Sequence, residues 1–337
     1  MQQSKPTIAI TTGDAAGIGP EIALKAALDP AVRSACRPVL VSDPALLERH
    51  ARACRIAIDL RPIERVSDAD WSDDRLNVLA CPQPEAAGLA FGVTDAASGR
   101  ASLAFAHRAI HAALAGDVGA VVAAPQNETA IALADIAFDG HPSFVARETG
   151  SDENEVYMML CVGELKIAHT TLHQSVRQAI ASITHDKVLS VIRATDRALK
   201  QLGIDEPRIA VSGLNPHAGE DGLFGLEEIE IIQPAIDAAV AEGYGVVGPF
   251  GADTMFHKQD VDAFIVMLHD QGHVPAKLLA PHATIALTIG TPILFSSVAH
   301  GSAHDIAGRG IADPKAMIEA VLLLSKVTRK VAEPQRA

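Results

Sequence analysis

An α/β fold built on parallel sheets is what this sequence predicts, and three observations predict it. Short β-branched runs alternate with Ala/Leu-rich helical patterns along the whole chain, each pair joined by a Gly-containing turn. The run VGAVVAAP (118–125) is apolar at every strand position, the mark of a strand covered on both faces. Three separate apolar strands are each followed by a histidine, which places polar chemistry at strand carboxyl ends, where open α/β sheets bind ligands. At 337 residues the chain suits two domains of roughly 150 residues each.

The elements follow in order. TIAITTGD (7–14) reads as a buried strand, and Pro20 opens the helix PEIALKAALD in its first turn. ASLAFAHRAIHAALAGD (101–117) carries apolar residues at helical spacing and stops near Gly116. The stretches LKIAHTTLH (165–173), PRIAVSGLNPHAGE (207–220) and VDAFIVMLHDQGH (261–273) share one plan, a strand leading to His173, His217 and His269. Between the last two, EIEIIQPAIDAAVAEGYGV (228–246) is helical with its stop at Gly243. Gly272 and Pro275 argue against a helix over 269–275, so HDQGHVP is expected to be a turn. That disfavours an H-E-x-x-H type of metal site from His269 and His273. No internal repeat is present, and the polar tail AEPQRA (332–337) closes the chain.

Composition excludes several function classes. A net charge of −13 and 4% aromatic residues disfavour nucleic acid and anionic membrane as partners. A mean hydropathy of +0.19 with no apolar run of about 18 residues predicts no transmembrane span. The N-terminal MQQSKPTIAITTGD lacks the basic and apolar regions of a signal peptide. Cys36, Cys54, Cys81 and Cys161 are scattered without a CxxC pair, which suggests a reduced, cytoplasmic compartment.

Three imidazoles at strand ends would leave an open coordination position on a divalent metal, as catalytic zinc requires. Ordinary polar loop histidines are the competing reading in a chain with 14 of them. HGSAHDIAGRGIADP (300–314) lies between PILFSSVA and the final helix, and its small residues let a backbone approach a flat or anionic ligand. GDAAGIG (13–19) is not G-x-G-x-x-G, so the Rossmann fingerprint is absent.

HGSAHDIAGRGIADP resembles the adenine-nucleotide loop of the isocitrate and isopropylmalate dehydrogenase superfamily. TTGDAAGIGPEI, NPHAGEDGLFGLEE, GPFGADTMF and LHDQG followed by AK are similar to signatures of the 4-hydroxythreonine-4-phosphate dehydrogenase family, over about residues 7–325. The resemblance implies two α/β/α domains flanking an active-site cleft, residues 1–130 with 300–337 and residues 131–299, and a homodimer whose site is completed across subunits. It implies NAD, held by His300, Gly301, Ser302, Ala303, Asp305 and Ile306, and one divalent metal, zinc or else Mg, Mn or Co, held by His173, His217 and His269. Lys277 and Asp253 would be the catalytic groups, with Asp253 orienting a ligand histidine or acting as base and Asp270 in a supporting position. His273 has no counterpart among the ligands.

The departures bear on the substrate. The family's GHTE reads GHPS here, which puts His141 and Ser143 beside Pro142. Its Asn in VNITLG is Ala286, its Arg before TSVDHG is Phe295, and its Lys in the HK pair is Glu128. A phosphate dianion would lose charge-assisted partners, a penalty on the order of several kcal/mol, while Phe295 is expected to offer an apolar wall. ETAIALADIAFDGHPS and TLHQSVRQAI resemble the terephthalate dihydrodiol dehydrogenase branch. That branch oxidises 1,2-dihydroxy-3,5-cyclohexadiene-1,4-dicarboxylate to protocatechuate with loss of CO₂, so a dicarboxylate is the expected substrate. The alternatives are the 4-hydroxythreonine-4-phosphate dehydrogenase activity of pyridoxal phosphate biosynthesis or that of a related four-carbon phosphate dehydrogenase, an acyltransferase of the broader fold, and a non-catalytic binding protein.

Overall fold

The computed structural model describes residues 5–72, 74–280 and 284–331, without the side chains of 327–331. The polar tail 332–337 lies outside the described residues. Two compact units divide the chain: residues 1–139 with 292–337, and residues 140–291. The sequence reading drew these lines at 130/131 and 299/300 instead.

Six strands belong to the first unit: β1 (Thr7–Thr11), β2 (Arg37–Ser42), β3 (Asp59–Ile63), β4 (Arg75–Ala80), β5 (Ala120–Ala123) and, last in the chain, β12 (Phe295–Val298). They lie in the order β3-β4-β2-β1-β5-β12, and every pairing is parallel. All four residues of β5 are buried, as an apolar run in a doubly covered strand requires. The first helix starts at Gly19 with Pro20 in its first turn, where a missing N–H leaves no bond unmade. Helix Ala96–Leu114 begins five residues before the ASLAF pattern, because Asp95 accepts the Ala97 N–H at 2.7 Å and caps it there.

The second unit holds β6 (Tyr157–Val162), β7 (Leu165–His169), β8 (Arg208–Ser212), β9 (Gly245–Phe250), β10 (Ala263–Val266) and β11 (Ile285–Ile289). Their order is β11-β6-β7-β10-β8-β9. β6 runs antiparallel to both neighbours, so this sheet is mixed rather than purely parallel. The cause is local: Val162 pairs with Leu165, and the two residues left between them allow only an antiparallel return. From β7 to β9 the strands are parallel, with Val266 opposite His169 and Ile265 opposite Val211.

One sequence expectation is overturned in this unit. Residues His269–Leu279 form a helix, with Pro275 inside it, rather than a turn. Tertiary packing outweighs propensity here. The buried face Gly272, His273 and Ala276 lies against β6 and β7. Glycine is required at 272 because a Cβ there would sit 2.3 Å from His169 Nε2 and 2.9 Å from Ile167 Cγ2. The residue that weakens the helix in isolation is what lets it dock. Residues 228–246 also differ from a plain helix: a wide π-type turn, in which the Gln233 N–H reaches back to Glu228 O, precedes helix Gln233–Ala241. Pro234 follows directly and has no N–H to give.

Candidate functional site

β7, β10 and β8 are adjacent, parallel and in register, so their carboxyl ends share one edge of the sheet. His173 follows β7 by four residues, His269 follows β10 by three and His217 follows β8 by five. The sequence reading treated these histidines as strand ends; each is on the segment that leaves the strand.

His269 opens its helix, and its Nδ1 lies 2.7 Å from Asp270 Oδ1. His217 Nδ1 lies 3.0 Å from Glu220 Oε2, and its ring meets the edge of Phe224 at 6.1 Å. A carboxylate only accepts, so each imidazole donates from Nδ1, and the Nε2 of the neutral ring is then the nitrogen left to accept or ligate. A carboxylate behind the ring is the usual support of a metal-ligating histidine. The rings of His173 and His269 are 5.8 Å apart, and His173 is exposed. Gly140 backs His173, since a Cβ at 140 would lie 3.6 Å from its Nδ1. The ligand nitrogens of His173, His217 and His269 do not all lie within 4.8 Å of one another. The chemistry of this donor set nevertheless fits a divalent cation, with three exposed or half-exposed imidazoles, two of them already oriented.

His273 and His169 complete the underside of the cluster; the sequence reading weighed His273 only as a ligand and set it aside, and passed over His169. The His273 ring stacks on His269 at 3.7 Å and 10°. Its Nδ1 lies 3.1 Å from His169 Nε2 and 3.2 Å from His269 O. Burial lowers the His273 pKa to about 4 and that of His169 to about 3, so both rings stay neutral and serve as packing with fixed hydrogen bonds. His169 ends an apolar strand, a position sequence periodicity assigns to the core.

Lys277 is exposed on the same helix, and 269, 273 and 277 share a face at i, i+4 spacing. Asp253 is exposed in the GADT turn. A Cβ at Gly251 would lie 2.8 Å from Asp253 Oδ1 and 3.7 Å from His217 Cα, so this turn runs beside the His217 loop. The carboxylates found on His217 and His269 are Glu220 and Asp270. His141 and Ser143 lie in the first turn of helix His141–Thr149, and burial lowers the His141 pKa to about 4.

In the first unit, Glu128 is exposed in the first turn of helix Glu128–Leu133. Phe295 is fully buried in β12. It is a core residue with no open face, which corrects its expected role as a wall for substrate. The 300–306 segment is tied to the 13–18 loop by two contacts: the Ile18 N–H donates to Ser302 O at 2.9 Å, and His304 Nε2 lies 2.6 Å from Asp14 Oδ2. Asp14 is buried, accepts from the Ser98 hydroxyl and also receives the Ala16 N–H at 3.0 Å. Asn127 Nδ2 reaches His304 Nε2 at 3.3 Å. The sequence reading assigned His300, Gly301, Ser302, Ala303, Asp305 and Ile306 to the cofactor and passed over His304, which holds the loop. Ser302 Oγ is buried without a hydrogen-bond partner among the described residues, and open space faces the Gly301 Cα. An orphaned hydroxyl beside a bare glycine fits a loop that accepts a nucleotide.

Polar groups gathered at the carboxyl edge of parallel strands define an α/β enzyme. The comparisons give its family. Residues 34–324 match the family described as pyridoxal phosphate biosynthetic protein PdxA. The chain is 39% identical over 326 residues to the D-threonate 4-phosphate dehydrogenase of Cupriavidus necator, covering 95% of this chain and 97% of that one. It is 39% identical over 317 residues to the 1,2-dihydroxy-3,5-cyclohexadiene-1,4-dicarboxylate dehydrogenase of a Comamonas species, covering 94% and 96%. The crystal structure of 4-hydroxythreonine-4-phosphate dehydrogenase from Klebsiella pneumoniae superposes with a TM-score of 0.87 at 38% identity, over 96% of this chain and 99% of that one. The chain belongs to the PdxA family, and it is a dehydrogenase acting on a CH–OH group. No helix among the described residues is long and apolar enough to cross a membrane.

The 13–18 loop also rests on a titrating group of helix Pro44–Ala53. His50 is fully buried, donates from Nε2 to Ala15 O at 3.0 Å and packs against Phe91 at 4.8 Å. Burial lowers its pKa from 6.5 to about 4. Between those values the unfolded chain holds a proton that the folded one refuses, so stability present above pH 6.5 falls as pH drops towards 4. His50 contributes up to about 3 kcal/mol of that loss. A His50→Gln variant, followed by urea unfolding from pH 7 to 4, is expected to show a shallower decline than wild type; parallel curves would refute this.

Proposed function

We propose that the chain oxidises a cis-dihydrodiol dicarboxylate, converting terephthalate 1,2-cis-dihydrodiol to protocatechuate with release of CO₂. The reaction would use NAD and one divalent metal, the cofactors of this family's dehydrogenases. One observation carries the choice of substrate. The positions that match the family's phosphate-binding Asn and Arg are Ala286 and Phe295, both buried and neither able to pair with an anion. A phosphate dianion without charge-assisted partners is strongly disfavoured. The Comamonas relative, named for the dicarboxylate, supports the same reading. A four-carbon phosphate ester is the competing substrate, favoured by the names of relatives such as the Cupriavidus enzyme.

His173, His217 and His269 would hold the metal through Nε2, with Glu220 and Asp270 keeping two of the rings oriented. When bound, the metal supplies Lewis-acid polarisation of the alcohol oxygen, and NAD accepts the hydride. Lys277, two turns along from His269, would take the alcohol proton or pair with a carboxylate. His141, neutral because its pKa is lowered to about 4, would donate an N–H to a carboxylate at a helix start. Ser143 and Asp253 are further candidates for substrate contact and proton transfer, and Glu128 for the substrate's polar edge. His300, Gly301, Ser302, Ala303, Asp305 and Ile306 would line the nucleotide. A homodimer is part of this reading. Val274, Leu278 and Leu279 project from the metal-site helix at 53%, 79% and 67% exposure, and such apolar surface suits a second copy.

Three outcomes are expected. Metal analysis of purified protein gives about one divalent ion per chain, and His217→Ala lowers both that content and turnover; full activity in the variant would remove the site. With metal and NAD saturating, absorbance at 340 nm rises with the dihydrodiol, and kcat/KM for 4-hydroxythreonine 4-phosphate is lower by at least about 10³, since a lost buried anion contact costs about 4 kcal/mol. Comparable rates would restore the phosphate reading. Sedimentation gives a dimer that Leu278→Glu weakens, whereas an active monomer at assay concentration would refute the assembly.

A further inference from the structure

We infer that Glu228 is a positioning residue that builds the His217 loop in its ligating conformation before any ion arrives, an inference that rests on the metal reading above. Glu228 is 3% exposed, an unusual place for a carboxylate. Its Oε1 accepts the Leu214 and Asn215 N–H groups, each at 2.7 Å, and its Oε2 accepts Asn215 Nδ2 at 2.9 Å. The same amide also donates to Glu227 Oε2 at 2.7 Å. All of these donors lie between the end of β8 and His217.

The loop is shaped around this carboxylate. A Cβ at Gly213 would lie 2.9 Å from Glu228 Oε1, and one at Gly219 would lie 2.7 Å from Oε2. The two glycines mark either side of His217, so the carboxylate is wedged against both flanks of the segment that presents the ring. That segment is conformationally costly. His217, Ala218, Glu220 and Asp221 all take positive φ, from 46° to 54°, together with Gly219 at 83°. Residues with a Cβ enter that region only when the surroundings impose it. Glu228 holds the residues that lead into this segment, Leu214 and Asn215, and lies against Gly219 within it. Glu228 is also the first residue of the π-type turn Glu228–Ile232, an irregularity found mostly at functional sites.

Glu228 bonds to Leu214 and Asn215 and acts on His217 through the loop. Removing it should leave His217 present but mobile, so the free protein would pay the ordering when metal binds. The expected signature is weaker metal binding together with altered coordination, beyond any loss of fold stability.

The test titrates chelator-stripped protein with zinc by calorimetry and with Co²⁺ by visible absorption, for wild type, His217→Ala, Glu228→Gln and Glu228→Ala. Glu228→Ala is expected to weaken zinc binding about 10- to 100-fold, with a changed Co²⁺ d–d spectrum. Glu228→Gln keeps an acceptor for the two backbone N–H groups but turns a donor towards Asn215, so an intermediate loss is expected. If Glu228→Ala fails to fold, Glu228→Gln decides. Zinc affinity within twofold of wild type in the folded Glu228 variants, whatever their thermal stability, overturns the inference. Wild type without zinc binding, or His217→Ala binding like wild type, overturns the metal reading itself, a result distinguishable from the first.

Discussion

The parallel, in-register pairing of β7, β10 and β8 is the constraint on which the candidate site depends. Each strand satisfies its backbone through its neighbours, and the shared direction forces three successive chain exits onto one edge. Residues more than fifty positions apart thereby become neighbours without any direct attraction between them. The sheet does not need the histidines; they use a geometry that backbone hydrogen bonding already demands.

What that edge supports is set by buried polar groups beneath it. His169 and His273 are neutral, hydrogen-bonded to each other, and roofed by the His269 ring. Glu228 does the corresponding work under the His217 loop. In the first unit, Asp14 and His304 tie the 300–306 segment to the 13–18 loop. In each place a buried polar group finds its partners locally, and the exposed residue above inherits a fixed position. Gly272 belongs to the same logic, because its missing side chain is where the His169 ring fits.

Much of the fold was legible in the sequence. Alternating β-branched and Ala/Leu-rich segments identified an α/β chain, and the apolar run at β5 identified a doubly covered strand. The exposed members of the site were legible too, because a histidine after an apolar run stands out. The buried members were not. His169 reads as one more strand residue, Glu228 as one more acid in an acidic stretch, and His304 as one more polar residue within a glycine loop. The partners described above lie from 13 to 290 residues away, beyond any local pattern. Local pattern also misread Gly272 and Pro275, whose low helix propensity was real but weaker than the packing of the face they share. Phe295 was misplaced for the same reason: its apolar character was evident, but whether it met a ligand or the core was not.

By itself the sequence determined where most strands and helices lie and which residue types stand at strand exits. These properties are local, fixed by periodicity, capping and side-chain chemistry. Tertiary structure decided which strand exits share an edge, which histidines face inward and turn neutral, and which buried carboxylate holds a strained loop in place. Those properties depend on burial and on partners distant in the chain, and they exist only once the sheet has closed around them.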